Sequence, residues 1–396
     1  FSLWYFLKKN NNSFNTFILP FIWVSIEYLR SYGILGFPWV NIANTQLNFY
    51  YLIQNAEYVG IYGISFWVVL INVLLYDLLF RRKIKKIYVT LIFVLPFILG
   101  YYSVSQLVYD KIDNYTVSII QPNVNLFTKR DYLNRFENLN NLIDKSKTAI
   151  QDNLDLIIWP ESALSYNNLQ DKKIFTHIKD NLLLNNETYV LTGNVIYENS
   201  NHYNSSVLFN RDGIKQIYNK RQLVPIAEYV PFSNSFPSLK NINLGQANFS
   251  KGNKDIIFDV NGVKFSALIC FESTFPGINR RHAKMGAEYF IYLVNDGWYT
   301  GPPEPQQHMK QSIFRAIENR KTIVRCANTG ISSVISPSGE VREYLDLNES
   351  GKITTFIEKV NRSTFYTEYG NIFAIVTLII TLSFVIGTLY EQKKNN

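Results

Sequence analysis

The sequence predicts an α/β domain over residues 110–365, inserted between membrane-spanning helices. Three observations lead to it. Apolar runs of bilayer-crossing length lie toward both ends of the 396-residue chain. Between them, short apolar runs of strand length alternate with polar segments of helical periodicity or turn chemistry. The basic residues gather beside the long apolar runs, as cytoplasmic connections do.

In chain order, residues 14–29 are apolar apart from Glu27 and slightly short for a span, since about 20 residues cross the hydrocarbon core. The following SYGILGFPWVNIANTQ, with its Gly, Pro and Trp, suits an interfacial or re-entrant loop. It reads either as a simple aromatic belt or as part of a substrate approach. Residues 59–80 and 87–108 are full-length spans, the second with Pro96 inside, where a kink is expected. Residues 371–389 carry no charge and form the clearest span. The domains are therefore read as 1–109 (membrane, about three spans), 110–365 (catalytic) and 366–396 (a last span and tail). The chain opens on Phe1 without a signal-peptide pattern, so it is read as N-terminally incomplete.

The formal charge of +8 suggests nucleic acid until it is located. Lys8, Lys9, Arg81, Arg82, Lys83, Lys85, Lys86, Lys393 and Lys394 all flank apolar runs, and the remaining 30 basic residues balance 31 acidic ones. No basic face is left for nucleic acid. With RRKIKK and EQKKNN in the cytoplasm, the middle region lies on the opposite side of the membrane. Two cysteines, Cys270 and Cys326, exclude a disulfide framework and a zinc-finger site by count.

In the middle region, strands are expected in YTVSIIQPN, LDLIIWPES, TYVLTGNVIY, SVLFNRDG, KQIYNKRQLVP, DIIFDVNG, VKFSALICFES, AEYFIYLVNDGW and KTIVRCANTGISSVISPSG. Asn210–Gly213 and Asp259–Gly262 read as hairpin turns. Helices are expected over residues 130–151, 172–184 and 306–320.

Four apolar runs end on chemically able residues: Glu161, Lys220, Cys270, and Asn295 to Trp298. Sites in layered α/β folds gather at such strand ends. Cys270 has two readings, a small buried hydrophobe or a nucleophile active as thiolate. None of the four histidines sits in a comparable strand-end position, so a Cys-His pair has little support. A buried carboxylate could act as base, and an ammonium would favour both the thiolate and a later oxyanion. Glu161, Lys220 and Cys270 supply that set, which suits acyl transfer through a thioester. Cys326 reads as a core residue.

WPES, YNKRQLVPIAEYVPF and ALICFES resemble the three catalytic signatures of the nitrilase superfamily. Together with EYLRSYGILGFPW, the spans and the NDGW segment, the chain resembles its membrane-bound branch, the apolipoprotein N-acyltransferase family. Phe271 and Ala227 depart from the family's usual Tyr and Gly. The resemblance implies an α-β-β-α sandwich and a ping-pong reaction without metal or cofactor. Glu161 would be the base, Lys220 the oxyanion stabiliser and Cys270 the nucleophile. Glu228 would assist them, Glu272 order the pocket, Asn295 lie beside the site and Trp298 line a channel. It implies a phospholipid acyl donor, a diacylated apolipoprotein acceptor, and a bacterial inner-membrane location with the catalytic domain on the periplasmic face. A membrane-tethered amidase, in which water resolves the thioester, shares the same triad and is the alternative.

Overall fold

The computed structural model describes residue 5 and residues 16–395, apart from 82–83, 126–131, 151–153, 165–168, 185–186, 233–234, 237, 240–246 and 298–300. The chain divides into two compact units, residues 1–107 with 363–396, and residues 108–362.

The first unit is helical. Helices α1 (Leu19–Arg30), α2 (Ala56–Tyr76), α3 (Lys86–Ser105) and the C-terminal α8 (Ile372–Asn395) are its long elements. Three segments among the described residues are long and apolar enough to cross a membrane: Ala56–Arg81, Lys86–Ser105 and Ile372–Lys394. The α-helix α1 has 12 residues, preceded by a 3-10 turn at Thr16–Ile18; residues 14 and 15 lie outside the described residues. Pro96 sits inside α3, where its missing N–H removes the usual partner of the Ile92 carbonyl. Trp67 Nε1 supplies that partner at 3.0 Å. Gly60 breaks the geometry of α2 at φ +63°, and a Cβ there would fall 2.7 Å from the Tyr366 ring.

The second unit holds twelve strands among its described residues, in two six-stranded sheets. The first contains β1 (Asp110–Gln121), β2 (Leu156–Ile158), β3 (Tyr189–Glu198), β4 (Asn201–Asn210), β5 (Gly213–Asn219) and β12 (Gly351–Lys359), in the order β12-β1-β2-β3-β4-β5. The second contains β6 (Phe258–Val260), β7 (Val263–Ile269), β8 (Tyr289–Val294), β9 (Thr322–Ala327), β10 (Ser332–Ile335) and β11 (Val341–Leu345), in the order β11-β10-β9-β8-β7-β6. Each sheet has three central parallel strands, β1-β2-β3 and β7-β8-β9, with antiparallel strands outside them. Both expected hairpins form, and Asn261 and Gly262 take the positive φ that a tight two-residue turn requires.

The sheets pack face to face. Ser206 Oγ on β4 donates to the Ala267 carbonyl on β7 at 3.1 Å, and the Tyr115 and Tyr289 hydroxyls meet at 2.9 Å. Cys326 is fully buried on β9, its Sγ donating to the Ile158 carbonyl at 3.3 Å, so it is a core residue. Helices α4 (Arg135–Ala149) and α5 (Lys172–Ile178) cover the first sheet, with Leu139, Leu142, Ile143, Ile174 and Ile178 packed in one cluster with Ile157, Val190 and Phe209. Helices α6 (Pro276–Lys284) and α7 (Glu304–Asn319) pack on the second sheet, where Tyr292 OH on β8 donates to Asn279 Oδ1 at 2.5 Å. The result is an α-β-β-α sandwich, as the resemblance implied. Trp159 anchors the end of β2: it is fully buried, and its Nε1 donates to Ser146 Oγ at 2.9 Å. Burying a ring of this size stabilises by about 4 kcal/mol and holds the residues that follow it.

Candidate active site

Glu161 follows β2 by three residues, Lys220 follows β5 directly, Cys270 follows β7 directly, and Asn295 follows β8 directly. The turn carrying Glu161 lies against β3 so closely that only glycine fits opposite it. A Cβ on Gly193 would stand 2.6 Å from Glu161 Cα and 2.5 Å from the Ser162 nitrogen.

Lys220 is 1% exposed and lies between two carboxylates. Its Nζ is 2.9 Å from Glu228 Oε1 and 3.8 Å from Glu161 Oε1. Asn204 Nδ2 donates to both of these oxygens, at 2.8 Å to Glu161 and 3.1 Å to Glu228. The Val224 N–H donates to Glu228 Oε2 at 2.7 Å, closing the short loop that carries Glu228. Three residues on the loops of this site hold positive φ without being glycine: Ser162 (51°), Ile226 (72°) and Cys270 (50°). Such strain persists only where surrounding contacts enforce it, and it collects at functional sites.

At Cys270 the contacts are visible. β7 ends at Ile269, and Cys270–Thr274 turns as a 3-10 helix. Glu272, fully buried, ties that turn to the loop after Lys220. Its Oε1 accepts from Tyr218 OH at 2.7 Å, the Arg221 N–H at 2.8 Å and the Gln222 N–H at 3.0 Å. Its Oε2 accepts from the Ile269 N–H at 3.0 Å. One carboxylate thus fixes the backbone on both sides of the site.

The charges act on one another. Burial pushes the Cys270 thiol well above the ordinary cysteine range and the Glu161 carboxylate adds to the rise, while Lys220 opposes it. Burial alone would lower the Lys220 ammonium, but Glu228 and Glu161 outweigh it and hold it above the ordinary lysine range. A carboxylate and an ammonium that both act on Cys270 are the groups that could activate a thiol and stabilise an oxyanion.

A histidine does approach the cysteine, contrary to the expectation from its position in the sequence. His308 sits on α7, which follows β8 and packs on the Cys270–Thr274 turn. Its Nε2 lies 3.3 Å from the Cys270 carbonyl and its Nδ1 2.8 Å from Asp296 Oδ1. Asp296 Oδ2 accepts from Arg325 at 2.8 Å. A cysteine sulfur, an aspartate oxygen and a histidine nitrogen therefore converge within 4.8 Å. The Arg325 guanidinium on the same carboxylate opposes a metal cation there.

Asn295 Oδ1 accepts from Asn328 Nδ2 at 3.3 Å. Trp298 lies outside the described residues. Asn204, Tyr218, Ser273, His308 and Arg325 join the site without having been singled out as site residues, and Asp296, noted at its strand end, was given no role. The available signal was polar residues embedded in buried runs, such as Asp296 beside Asn295 and Arg325 within IVRCA.

The carbon-nitrogen hydrolase family matches residues 116–366, and the apolipoprotein N-acyltransferase N-terminal domain matches residues 1–74. An apolipoprotein N-acyltransferase from Rickettsia bellii is 32% identical, over 98% of this chain and 78% of its own length. The chain belongs to the apolipoprotein N-acyltransferase family. The family's enzyme from Geobacter metallireducens is 30% identical, over 90% of this chain and 70% of its own. Among solved structures, a mutant of the amidase from Nesterenkonia sp. AN1 aligns with a TM-score of 0.47 and 17% identity, over 64% of this chain and 96% of that one. In this chain the region matched by the carbon-nitrogen hydrolase family is joined to helices long and apolar enough to cross a membrane.

Proposed function

We propose that the chain transfers a fatty acyl group from a membrane phospholipid to the N-terminal amine of the diacylglyceryl-cysteine of apolipoproteins, by way of a thioester on Cys270. The observation that carries this reading is the buried Glu161–Lys220–Glu228 cluster electrostatically coupled to Cys270 in a member of this family. In the first half-reaction Glu161 takes the thiol proton as sulfur attacks the ester carbonyl. Lys220 stabilises the tetrahedral oxyanion, and collapse expels the lysophospholipid alkoxide, which leaves with that proton. In the second, the α-amine attacks the thioester and Glu161 accepts its proton. Sulfur departs and is reprotonated, leaving an amide. Glu228 holds Lys220 in place, Glu272 holds the loops, and Asn295 stands beside the site at the end of β8.

The membrane unit anchors the enzyme as a multi-pass protein of the bacterial inner membrane, with residues 108–362 on the periplasmic side. The basic clusters beside the spans support this orientation. Alkaline phosphatase fused after residue 350 should be active and after residue 84 inactive, and the reverse result inverts the topology.

Purified protein incubated with labelled phospholipid and a diacylated lipopeptide should yield N-acylated lipopeptide. Release of free fatty acid with no N-acylation would mark a hydrolase instead.

A further inference from the structure

Cys270 holds φ at +50°, and its carbonyl is gripped from behind. Ser273 Oγ lies 2.7 Å from that carbonyl oxygen and His308 Nε2 3.3 Å from it, with Ser273 Oγ and Nε2 themselves 3.1 Å apart. The imidazole cannot turn away. Its Nδ1 is fixed to Asp296 Oδ1 at 2.8 Å, and Asp296 Oδ2 is fixed to Arg325, whose Nε donates to the Ile331 carbonyl at 3.1 Å. Ser273, Asp296, His308 and Arg325 are each at most 3% exposed.

We propose that His308 is a positioning residue for the nucleophile: clamped by Asp296 and Arg325, it braces Ser273 and the Cys270 carbonyl and so fixes where Sγ points. The inference rests on reading Cys270 as the nucleophile. His308 is assigned to positioning and not to base catalysis because both ring nitrogens are engaged, Nδ1 with Asp296 and Nε2 with Ser273 and the Cys270 carbonyl. Burial and Arg325 also hold it below the usual imidazole range, with Asp296 only partly opposing them. The groups facing the ring are Asp296, Arg325, Cys270 and Glu304, whose Oε1 is 4.0 Å from Nδ1. A purely structural histidine would brace α7 against β8 and leave the reactivity of Cys270 unchanged.

The two ring nitrogens can be tested apart. In His308→Asn the amide reaches Asp296 but not Cys270, and in His308→Gln it reaches the place of Nε2, where it can donate or accept. Two rates are measured on the full-length detergent-purified chain. One is iodoacetamide alkylation of Cys270, followed by peptide mass spectrometry. The other is single-turnover formation of the hydroxylamine-labile acyl-thioester. His308→Asn should slow both by about tenfold or more, the loss of one hydrogen bond to a pre-organised group, while His308→Gln stays within about threefold of wild type. Thermal midpoints of both variants report any structural loss separately. Equal alkylation rates in wild type and both variants, or equal slowing in both variants, overturns the positioning role. Should wild type fail to form the thioester, the acyl-transfer reading fails, and alkylation still decides the role of His308.

Discussion

Replacing Glu272 with glutamine tests whether one carboxylate holds the site together. An amide can keep its oxygen toward Tyr218 and the Arg221 and Gln222 N–H groups, but its nitrogen then faces the Ile269 N–H, donor against donor. The opposite flip is worse, leaving two backbone N–H donors opposed even if the Tyr218 hydroxyl turns to accept. Losing a charged acceptor at a buried backbone N–H costs about 1.5–3 kcal/mol. The other three bonds weaken from charge-assisted to neutral, and the total comes to roughly 3–5 kcal/mol. At about 2–4 °C per kcal/mol for a domain of this size, the apparent midpoint should fall by about 6–20 °C. Tryptophan fluorescence during a thermal ramp of the purified full chain reads this, at one scan rate because unfolding of such proteins is often irreversible. Cys270 acylation should fall with it, since both flanking loops lose their anchor. A Glu272→Gln midpoint within about 2 °C of wild type would refute the reasoning, because four bonds would then be worth less than one ordinary bond.

Lys220→Met leaves Glu161 and Glu228 sharing Asn204 with no cation, which should cost about 3–5 kcal/mol and abolish thioester formation. Adding Glu228→Gln should recover part of the stability, read from denaturant midpoints, and none of the acylation. Gly193→Ala drives a methyl into the backbone at Glu161 and Ser162; the expected loss is about 1–3 kcal/mol, with single-turnover acylation down about a hundredfold. Glu304, raised from 4.5 to about 8 by burial and then by the Asp296 carboxylate, binds its proton more tightly folded than unfolded. Its contribution to stability is therefore full below pH 4.5 and lost as pH rises through about 8. Glu304→Gln should be relatively more stable than wild type at pH 8 than at pH 5 in thermal melts, and an unchanged difference would count against it.

How much of this could be read in the sequence depended on whether the information was local. Glu161, Cys270 and Asn295 each follow a strand of mostly buried apolar residues, so their shared position was legible from the point where each run stops, whereas Lys220 follows β5, of which only Tyr218 is buried. The expected helices over 172–184 and 306–320 formed for the same reason, their apolar residues recurring on one face. β11 and β12 were not anticipated. Exposed residues interrupt both, as in VREYL and GKITTFIEK, so neither shows the unbroken apolar run of an interior strand. His308 was discounted because it ends no strand. Its contact with Cys270 spans 38 positions and depends on how α7 seats against the Cys270–Thr274 turn, which helical periodicity does not encode. Arg325 and Asp296 meet across 29 positions, on the neighbouring strand β9 and just beyond the end of β8.

In the proposed reaction, charge balance favours a carboxylate over a histidine as the base. Lys220 lies between the carboxyl groups of Glu161 and Glu228, and Asp296 is paired with Arg325. Losing the Cys270 proton to water would add a negative charge beside them, the direction that burial and Glu161 both oppose. Passing it to Glu161 would leave the net charge unchanged and remove the carboxylate's repulsion, while Lys220 still attracts the thiolate. In the proposed reaction the same transfer runs backward when the leaving group needs a proton, so one residue would serve both half-reactions. A neutral histidine in the place of Glu161 would gain positive charge on every transfer, beside a lysine that already carries one. His308 instead lies with Asp296 and Arg325 beside Cys270, its Nε2 3.3 Å from the Cys270 carbonyl.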